Sequence, residues 1–524
     1  MKARPFLAVV LAVAVSLLTL AGVGWWWVLS RSPLQLQHQS LALPLGARFV
    51  PRQAPLSLYW LADGQDLEAY ARAVAPGRQR RQAVAAVNRL RDGAFAAAGL
   101  DYANELAAWL GPETGLTLLA ERPGGPVNGW LLSLRSRDSD GARRFLQRFW
   151  QTRSLAGADL QIGSYRGMGL ISGRGAVVGQ DQQPLATALI NDDLVLIASG
   201  RAVLEQALDV SQIAELNQAA SPDFQAAVQQ LGEGLMVLQA RPEALQPWLA
   251  LPAGSGILTA ALRPEGAGLA VEARLAWPEA LPAVAPTNAA TGLLQAYRGD
   301  PGSLALLQVP SRWPPLLQQL LHQALAAADA GPVPALVAAA DPGPLLWARG
   351  EQGWQLGTPV RSPDPKDLEA ALQEQGLVAA PVDLQGQSVR VWTRLVAGPK
   401  PAAAGSLEAT VVAAHGNGPG APALAPTWWA QSLPALGQLL APQPASRLPV
   451  DRLRDQLEEL GAPRALLRWA LAPGPGRALL QQWQPWQLLS GLAAQPLAEA
   501  VQGLSLSLEP QDSQLLLRAH LRLA

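Results

Sequence analysis

From Pro5 to Ser30 the chain reads PFLAVVLAVAVSLLTLAGVGWWWVLS, without one ionisable side chain. A helix of about 20 apolar residues crosses a hydrocarbon core of roughly 30 Å. The first expectation is therefore a signal anchor, a transmembrane helix over residues 1–31. Lys2, Arg4 and the α-amino group stand before the run and Arg31 after it, a bias that favours a cytoplasmic N-terminus and an extracytoplasmic bulk. Trp25, Trp26 and Trp27 end the run, where indoles form a belt at the membrane interface. The competing reading is a cleaved signal peptide, whose apolar region is about 7–15 residues long and ends in an A-x-A-like site. The run here is longer, and Leu29-Ser30-Arg31-Ser32-Pro33 is a poor cleavage site.

Beyond the anchor about 490 residues remain, too many for one hydrophobic core. Lys plus Arg number 40 and Asp plus Glu number 40. The balance lacks the basic footprint that a phosphate backbone demands, so no nucleic-acid partner is expected. Cysteine is absent, which excludes a disulfide framework, a thiolate nucleophile, a Cys metal site and lipoprotein acylation.

Hydrophobic periodicity divides the rest. Residues 32–54 read as a tether, 55–277 as a first unit, 278–300 as a Pro- and Ala-rich linker (PEALPAVAPTN at its start) and 301–524 as a second unit. In the first unit, Pro55 to Leu61 reads as a strand, Asp66 to Ala75 and Arg78 to Ala98 as helices, and Tyr102 to Gly111 as a short helix ended by Gly111-Pro112. Ala142, Phe145, Leu146 and Phe149 share a helix face, as do Val203, Leu204, Ala207 and Leu208. Asn191-Asp192-Asp193 breaks an apolar stretch like a hairpin loop.

The order of elements then recurs. Pro55-Leu56-Ser57-Leu58 parallels Pro301-Gly302-Ser303-Leu304, and Leu262-Arg263-Pro264-Glu265 parallels Leu508-Glu509-Pro510-Gln511. All share one offset, 246 positions (Pro55 to Pro301), as a tandem duplication predicts. Leu504, Leu506 and Leu508 alternate with Ser505, Ser507 and Glu509, the period of an antiparallel strand with one face buried and one largely wet. The expected fold class is α+β: an N-terminal transmembrane helix, then two related units of antiparallel sheet covered by amphipathic helices.

No set of residues specifies a reaction, a metal or a cofactor. His38, His322, His415 and His520 have no partner at metal-ligand spacing, and there is no HExxH, G-x-S-x-G or P-loop pattern. Gly173-Arg174-Gly175 with Gly179 lacks the spacing of a dinucleotide fingerprint. The carboxylate pairs Asp63/Asp66, Asp192/Asp193 and Glu458/Glu459 suit acid–base chemistry in kind, but a helix start, a loop and a solvated helix face explain them. Trp428-Trp429 and Trp483/Trp486 read as core, with a partner surface as the alternative.

One charged segment stands out. Arg72, Arg78, Arg80, Arg81, Arg89 and Arg91 are followed by an acid only at Asp92 and preceded by one at Glu68. That density suits contact with anionic lipid or an acidic partner.

The combination of an N-terminal anchor with Ala47-Arg48-Phe49-Val50-Pro51, Leu56-Ser57-Leu58-Tyr59-Trp60, Leu100-Asp101-Tyr102, Trp109-Leu110-Gly111, Ser164-Tyr165-Arg166-Gly167 and Leu189 to Ala198 (LINDDLVLIA) is familiar. It resembles the membrane-anchored proteins of domain-of-unknown-function family 3352, particularly their cyanobacterial members. The resemblance covers most of the chain, weakening from Pro399 to Arg447, and rests on structural punctuation. It implies an extracytoplasmic protein and carries over no site residues. The sequence reading is a single-pass protein of the plasma or thylakoid membrane, its bulk in periplasm or lumen. Its partners would be membrane lipid, through the N-terminal helix, and an envelope protein. Its role is read as non-catalytic binding or scaffolding, with an apolar-ligand carrier and an envelope hydrolase as alternatives.

Overall fold

The computed structural model describes residues 32–523 apart from 121–125, 156–159, 177–181, 247–250, 253, 285–288, 328–332, 360–371, 374–375, 398–406, 419–424, 442–447 and 494–496. The chain divides into two compact units. The first holds Met1–Val237 with Ala261–Ala267 and Leu492–Ala494; the second holds Leu238–Ala260, Gly268–Gly491 and Gln495–Ala524.

In the first unit the strands are β1 (Leu56–Trp60), β2 (Leu110–Ala120), β3 (Val127–Ser136), β4 (Gln161–Tyr165), β5 (Met168–Ala176), β6 (Gln182–Ile190) and β7 (Leu194–Ala198). They pair antiparallel in the order β4-β5-β6-β7-β3-β2-β1. Turn chemistry sets two of the registers. Arg166 and Gly167 between β4 and β5, and Asn191 and Asp192 between β6 and β7, all have positive φ. Two such residues in succession make a turn whose twist matches that of the flanking strands.

Helices α1 (Gly64–Val74) and α2 (Arg80–Ala97) join β1 to β2; α3 (Ser139–Leu155) follows β3, and α4 (Arg201–Gln212) and α5 (Pro222–Leu231) follow β7. Ala142, Phe145, Leu146 and Phe149 of α3 pack on Leu132, Leu134, Val195 and Ile197 of the sheet. Val203, Leu204, Ala207 and Leu208 of α4, with Phe224 and Val228 of α5, pack with Leu119, Leu131, Leu196 and Ala198. Consecutive strand residues therefore face different cores, and all five residues of β7 are buried. The expectation of one wet face does not hold in these central strands, because helices cover both sides.

The strands β8 (Met236–Ala240), β9 (Leu258–Glu265) and β10 (Gly268–Ala276) come next in sequence. The second unit then contains β11 (Ser303–Val309), β12 (Gly343–Gly350), β13 (Gly353–Thr358), β14 (Val378–Leu384), β15 (Gln387–Ala397), β16 (Leu407–Asn417), β17 (Thr427–Ala430), β18 (Leu467–Leu471), β19 (Val501–Gln511) and β20 (Gln514–Leu523). Its order β14-β15-β16-β17-β13-β12-β11 repeats that of the first unit, ten strand numbers on. The sheet continues through β18, β19 and β20 to β10. Here too apolar cores lie on both faces. Leu304, Leu306, Trp428 and Ala430 pack with helix α6 (Ala289–Ala296) and with the helices at Leu433–Leu440 and Leu448–Glu459. Ala305, Leu307, Trp392 and Trp429 belong to the other core.

Several expectations are corrected. No helix among the described residues is long and apolar enough to cross a membrane. The longest, α2, has 18 residues and carries Arg80, Arg81, Arg89, Arg91 and Asp92, charges that a hydrocarbon core excludes. The expected transmembrane helix over 1–31, with Trp25, Trp26 and Trp27, lies outside the described residues. The fold reading is corrected at its leading transmembrane helix, which no helix among the described residues supports; the antiparallel sheet with helices remains. The assignment as a single-pass membrane protein with its bulk in periplasm or lumen is likewise not supported, since no helix among the described residues could cross a membrane.

The tether is not a tether either, since Ala47, Phe49 and Val50 are buried in the first unit's core. Within the expected linker, Ala290, Leu293 and Tyr297 are buried in the second unit's core. Tyr102–Leu106 is a single π-helical turn, and Gly111 lies inside β2 rather than ending a helix. Finally, β10, expected to close the first unit, sits in the second, paired with β20 from Leu269↔Leu521 to Ala276↔Gln514.

One glycine shows how tightly the second sheet is packed. Gly357 lies opposite Trp428 in the ladder, and a Cβ at Gly357 would fall 2.2 Å from the fully buried indole. The missing side chain lets the ring fold over the strand. Gly357→Ala should destabilise the protein by about 1–3 kcal/mol through overpacking. A denaturant midpoint unchanged from wild type would show that the indole does not occupy this space.

Candidate functional site

The arginine-rich segment becomes a helical hairpin. Asp63 caps α1, its carboxylate accepting from the Gln65 amide at 3.0 Å, the usual role of Asp before a first turn. Tyr70 fixes α1 to the unit. Its hydroxyl accepts from Gln37 Nε2 at 2.8 Å and donates to the Gly266 carbonyl at 2.7 Å. Leu67 and Val74 pack against a cluster that contains Leu36, Ala62 and Leu235. Ala75 to Gln79 turn the chain, and α2 runs back alongside with none of its residues fully buried. Its far end is held by Phe95 stacking on Tyr102, ring centroids 5.4 Å apart.

The six arginines separate into two groups. Arg91 donates to Glu68 at 2.7 Å and Asp92 at 3.0 Å, and its guanidinium lies 3.9 Å from the Tyr102 ring centroid. Burial alone would lower its pKa; the Glu68 and Asp92 carboxylates outweigh that and hold it above the ordinary value. Arg89 is likewise engaged. Arg72, Arg78, Arg80 and Arg81 are exposed around the turn between α1 and α2, and no ion pair holds them among the described residues. The first turn of α2 carries no acid, and the preceding Gln79 makes no side-chain capping bond. Four guanidiniums thus share one end of the hairpin, where the negative end of the α1 dipole and the positive end of the α2 dipole roughly offset each other.

Elsewhere arginines pair at Asp63–Arg137 (2.8 Å), Asp192–Arg143 (2.6 Å), Asp209–Arg166 (2.9 Å) and Glu205–Arg201 (2.7 Å), while Arg148, Arg174, Arg312, Arg394, Arg452 and Arg464 are exposed singly, outside any ion pair among the described residues. These ion pairs also engage one member of each of two carboxylate pairs, Asp63 and Asp192. Glu458 bonds Arg454, and Glu459 bonds Arg522. The histidines stay apart. His38 lies 3.5 Å from Glu233, the His415 ring is tilted against Trp429 with centroids 4.6 Å apart, and His520 on β20 stands opposite Ser505 on β19. The side chain of His322 lies outside the described residues. Gly173 and Gly175 sit in the β5–β6 ladder, with Gly179 outside the described residues.

Trp428 and Trp429 are core residues; Trp486 is buried, while Trp483 is 38% exposed. An apolar cavity in the second unit is lined by Leu307, Leu321, Val337, Leu345, Trp347 and Trp469 among others, with a volume of about 20 Å³. An apolar cavity that takes benzene measures about 150 Å³, so this one gives no support to a lipid or pigment carrier.

Sequence reasoning missed Glu113. A bulge in β2 between Leu110 and Thr114 turns this carboxylate inward, to 5% exposure, where it accepts the Gly46 amide at 2.8 Å. Gly46 lacks a side chain for a reason: a Cβ there would lie 2.4 Å from Ser133 Oγ. Burial raises the Glu113 pKa, against the lowering effect of the Gly46 and Leu45 amides and Arg135; Asp193 raises it further. The only sequence signal was Gly111-Pro112, a pair that fits a bulge as well as a helix end.

A carboxyl whose folded pKa exceeds its unfolded value adds stability as pH falls through the folded pKa, and loses it above. Wild type should therefore gain stability relative to Glu113→Gln as pH falls from neutrality toward 4.5, the ordinary Glu value. Thermal melts of both proteins across that window check it. A difference between them that does not change with pH would mean that Glu113 is not the group responsible.

Comparison with known proteins places the chain in a family. The model of a protein family of unknown function, DUF3352, matches residues 10–300. No curated protein matches the chain. Among solved structures, crystal forms III and I of TP0453 align at 11% identity over 46% of this chain. They are covered to 82% and 81% of their own length, with TM-scores of 0.29 and 0.27, a likeness too slight to bear on fold or function. Matched over more than half of its length, the chain belongs to the DUF3352 family of proteins of unknown function.

Proposed function

We propose that the chain is a non-catalytic binding module that engages an anionic partner through the arginine end of the α1–α2 hairpin. The observation that carries this reading is the concentration of Arg72, Arg78, Arg80 and Arg81, exposed and outside any ion pair among the described residues, around one turn, where the other exposed arginines either pair with an acid or stand singly. A cation left without a counter-charge in a chain of balanced composition is a local field, and such fields steer and hold anions. Arginine serves this better than lysine, because its planar fork meets a carboxylate or phosphate with two parallel hydrogen bonds.

Formal net charge is zero at pH 7, so retention on a sulfonate resin at low salt reports a patch rather than an overall excess. Wild type should be retained at pH 7. Arg78→Gln/Arg80→Gln/Arg81→Gln should elute in the flow-through. A control with the same charge change at paired sites, Arg144→Gln/Arg201→Gln/Arg454→Gln, should stay bound. Equal elution of the two triple variants would overturn the reading.

A further inference from the structure

We infer that the partner of this arginine end is an acidic segment of a protein, bound once per chain; the inference rests on the binding reading above. Three chemistries present anions to such a surface: a lipid headgroup layer, a nucleic acid and a run of carboxylates. A protein that rests on a bilayer sinks large apolar side chains between the headgroups beside its cations. The exposed large hydrophobic residues of the first unit include Leu45 and Leu116 but none between them, so none on α1, α2 or their turn. Single-stranded nucleic acid is held by aromatic rings on which bases stack, and the ring residues of this segment are engaged inward: Tyr70 with Gln37 and Gly266, Phe95 with Tyr102.

The residues between the arginines are small or carry amides. Ala73, Pro76, Gly77, Gln79 and Gln82 are exposed. This surface offers paired N–H donors and two side-chain amides with little apolar area. It matches an extended segment bearing several carboxylates, each able to take a guanidinium bidentately. The spacing fits as well: Arg78 in the turn and Arg80 and Arg81 at the start of α2 lie within four consecutive residues, the reach of a few residues of extended chain.

The repeated fold fixes the number of sites. The connection from β11 to β12 corresponds to that from β1 to β2, since the two sheets share one strand order. Between Val309 and Gly343 the sequence contains a single basic arginine, Arg312, and no lysine. Leu316, Leu317 and Leu320 of the helix Pro315–Ala327 pack against Leu275, Trp277 and Leu515 instead. The same place in the second sheet is therefore spent on apolar packing, and one chain presents one arginine end.

The test uses the full chain with three probes: a fluorescent octaglutamate peptide, a single-stranded oligothymidylate, and vesicles of phosphatidylglycerol and phosphatidylcholine. Anisotropy and calorimetry should give peptide binding at one per chain, weakened steeply by salt. Arg78→Gln/Arg80→Gln/Arg81→Gln should lose at least about tenfold in affinity, and Arg72→Gln alone a smaller factor. The paired-site control triple should bind like wild type. Two peptides per chain, or tighter capture of oligothymidylate or vesicles than of peptide, would overturn the acidic-protein assignment. If the hairpin triple still weakens whichever probe binds, the anion-binding surface itself stands. If the triple changes none of the three, both readings fall together. Melting curves of the exposed-site variants should overlay wild type; should the triple unfold, Arg80→Gln alone serves as the variant, with at least a twofold loss expected and an unchanged affinity counting against the site.

Discussion

The ladder between β3 and β7, Leu131↔Ala198 to Arg135↔Leu194, is the constraint on which the first unit depends. Helices cover both faces of these strands, and Leu131 to Leu134 and all five residues of β7 are buried. A buried backbone amide or carbonyl without a partner costs about as much as a lost hydrogen bond. For β7 every backbone group must find its partner in β3 or β6. This requirement puts a strand from early in the unit beside one that arrives some sixty residues later, and makes α3, β4, β5 and β6 an excursion between them. The second unit meets it in the same way: β13 pairs with β17 from Gln355↔Ala430 to Thr358↔Thr427, with β14, β15 and β16 as the excursion.

The same logic governs the segments ahead of each first strand. Both faces of a two-sided sheet need apolar cover, and the residues before β1 and β11 supply part of it. Ala47, Phe49 and Val50 enter one core; Ala290, Leu293 and Tyr297 enter the other. Glu113 is the polar counterpart of that packing, since its carboxylate receives an amide that the first of these segments would otherwise leave buried and unpaired. Against this background α2 is the exception. It packs on a neighbouring helix and a π-helical turn rather than on the sheet, and its N-terminal arginines meet no acid. The hairpin is where exposed arginines outside any ion pair cluster in the first unit, among the described residues.

Where the signal was local, the sequence was legible. The β19–β20 hairpin follows from Leu504, Leu506 and Leu508 alternating with polar residues, and the β6–β7 turn from Asn191 and Asp192, residues that tolerate positive φ. The buried faces of α3 and α4 are those that the 3.6-residue period marks. The arginine density of the hairpin was equally visible. Which arginines remain exposed was not, because Glu68 and Tyr102 approach Arg91 only once α1, α2 and the π-helical turn have packed. Segments 32–54 and 278–300 misled for a related reason: Pro-rich sequence of mixed polarity looks like linker until a core needs Phe49 or Leu293.

By itself the sequence determined the short-range geometry: periods of two and 3.6, turns at residues that accept positive φ, a matching offset at the two ends of the repeat, and a run of cations without acids. These depend on neighbours a few positions away, or on simple identity between distant stretches. Only the tertiary structure decided that both faces of each central sheet are covered, that β10 lies against β20 in the second unit, that a bulge buries Glu113, and that four of six arginines stay exposed outside any ion pair among the described residues. Those outcomes turn on which surfaces meet across tens or hundreds of residues, where backbone hydrogen bonds and buried area compete in space and local spacing no longer distinguishes the alternatives.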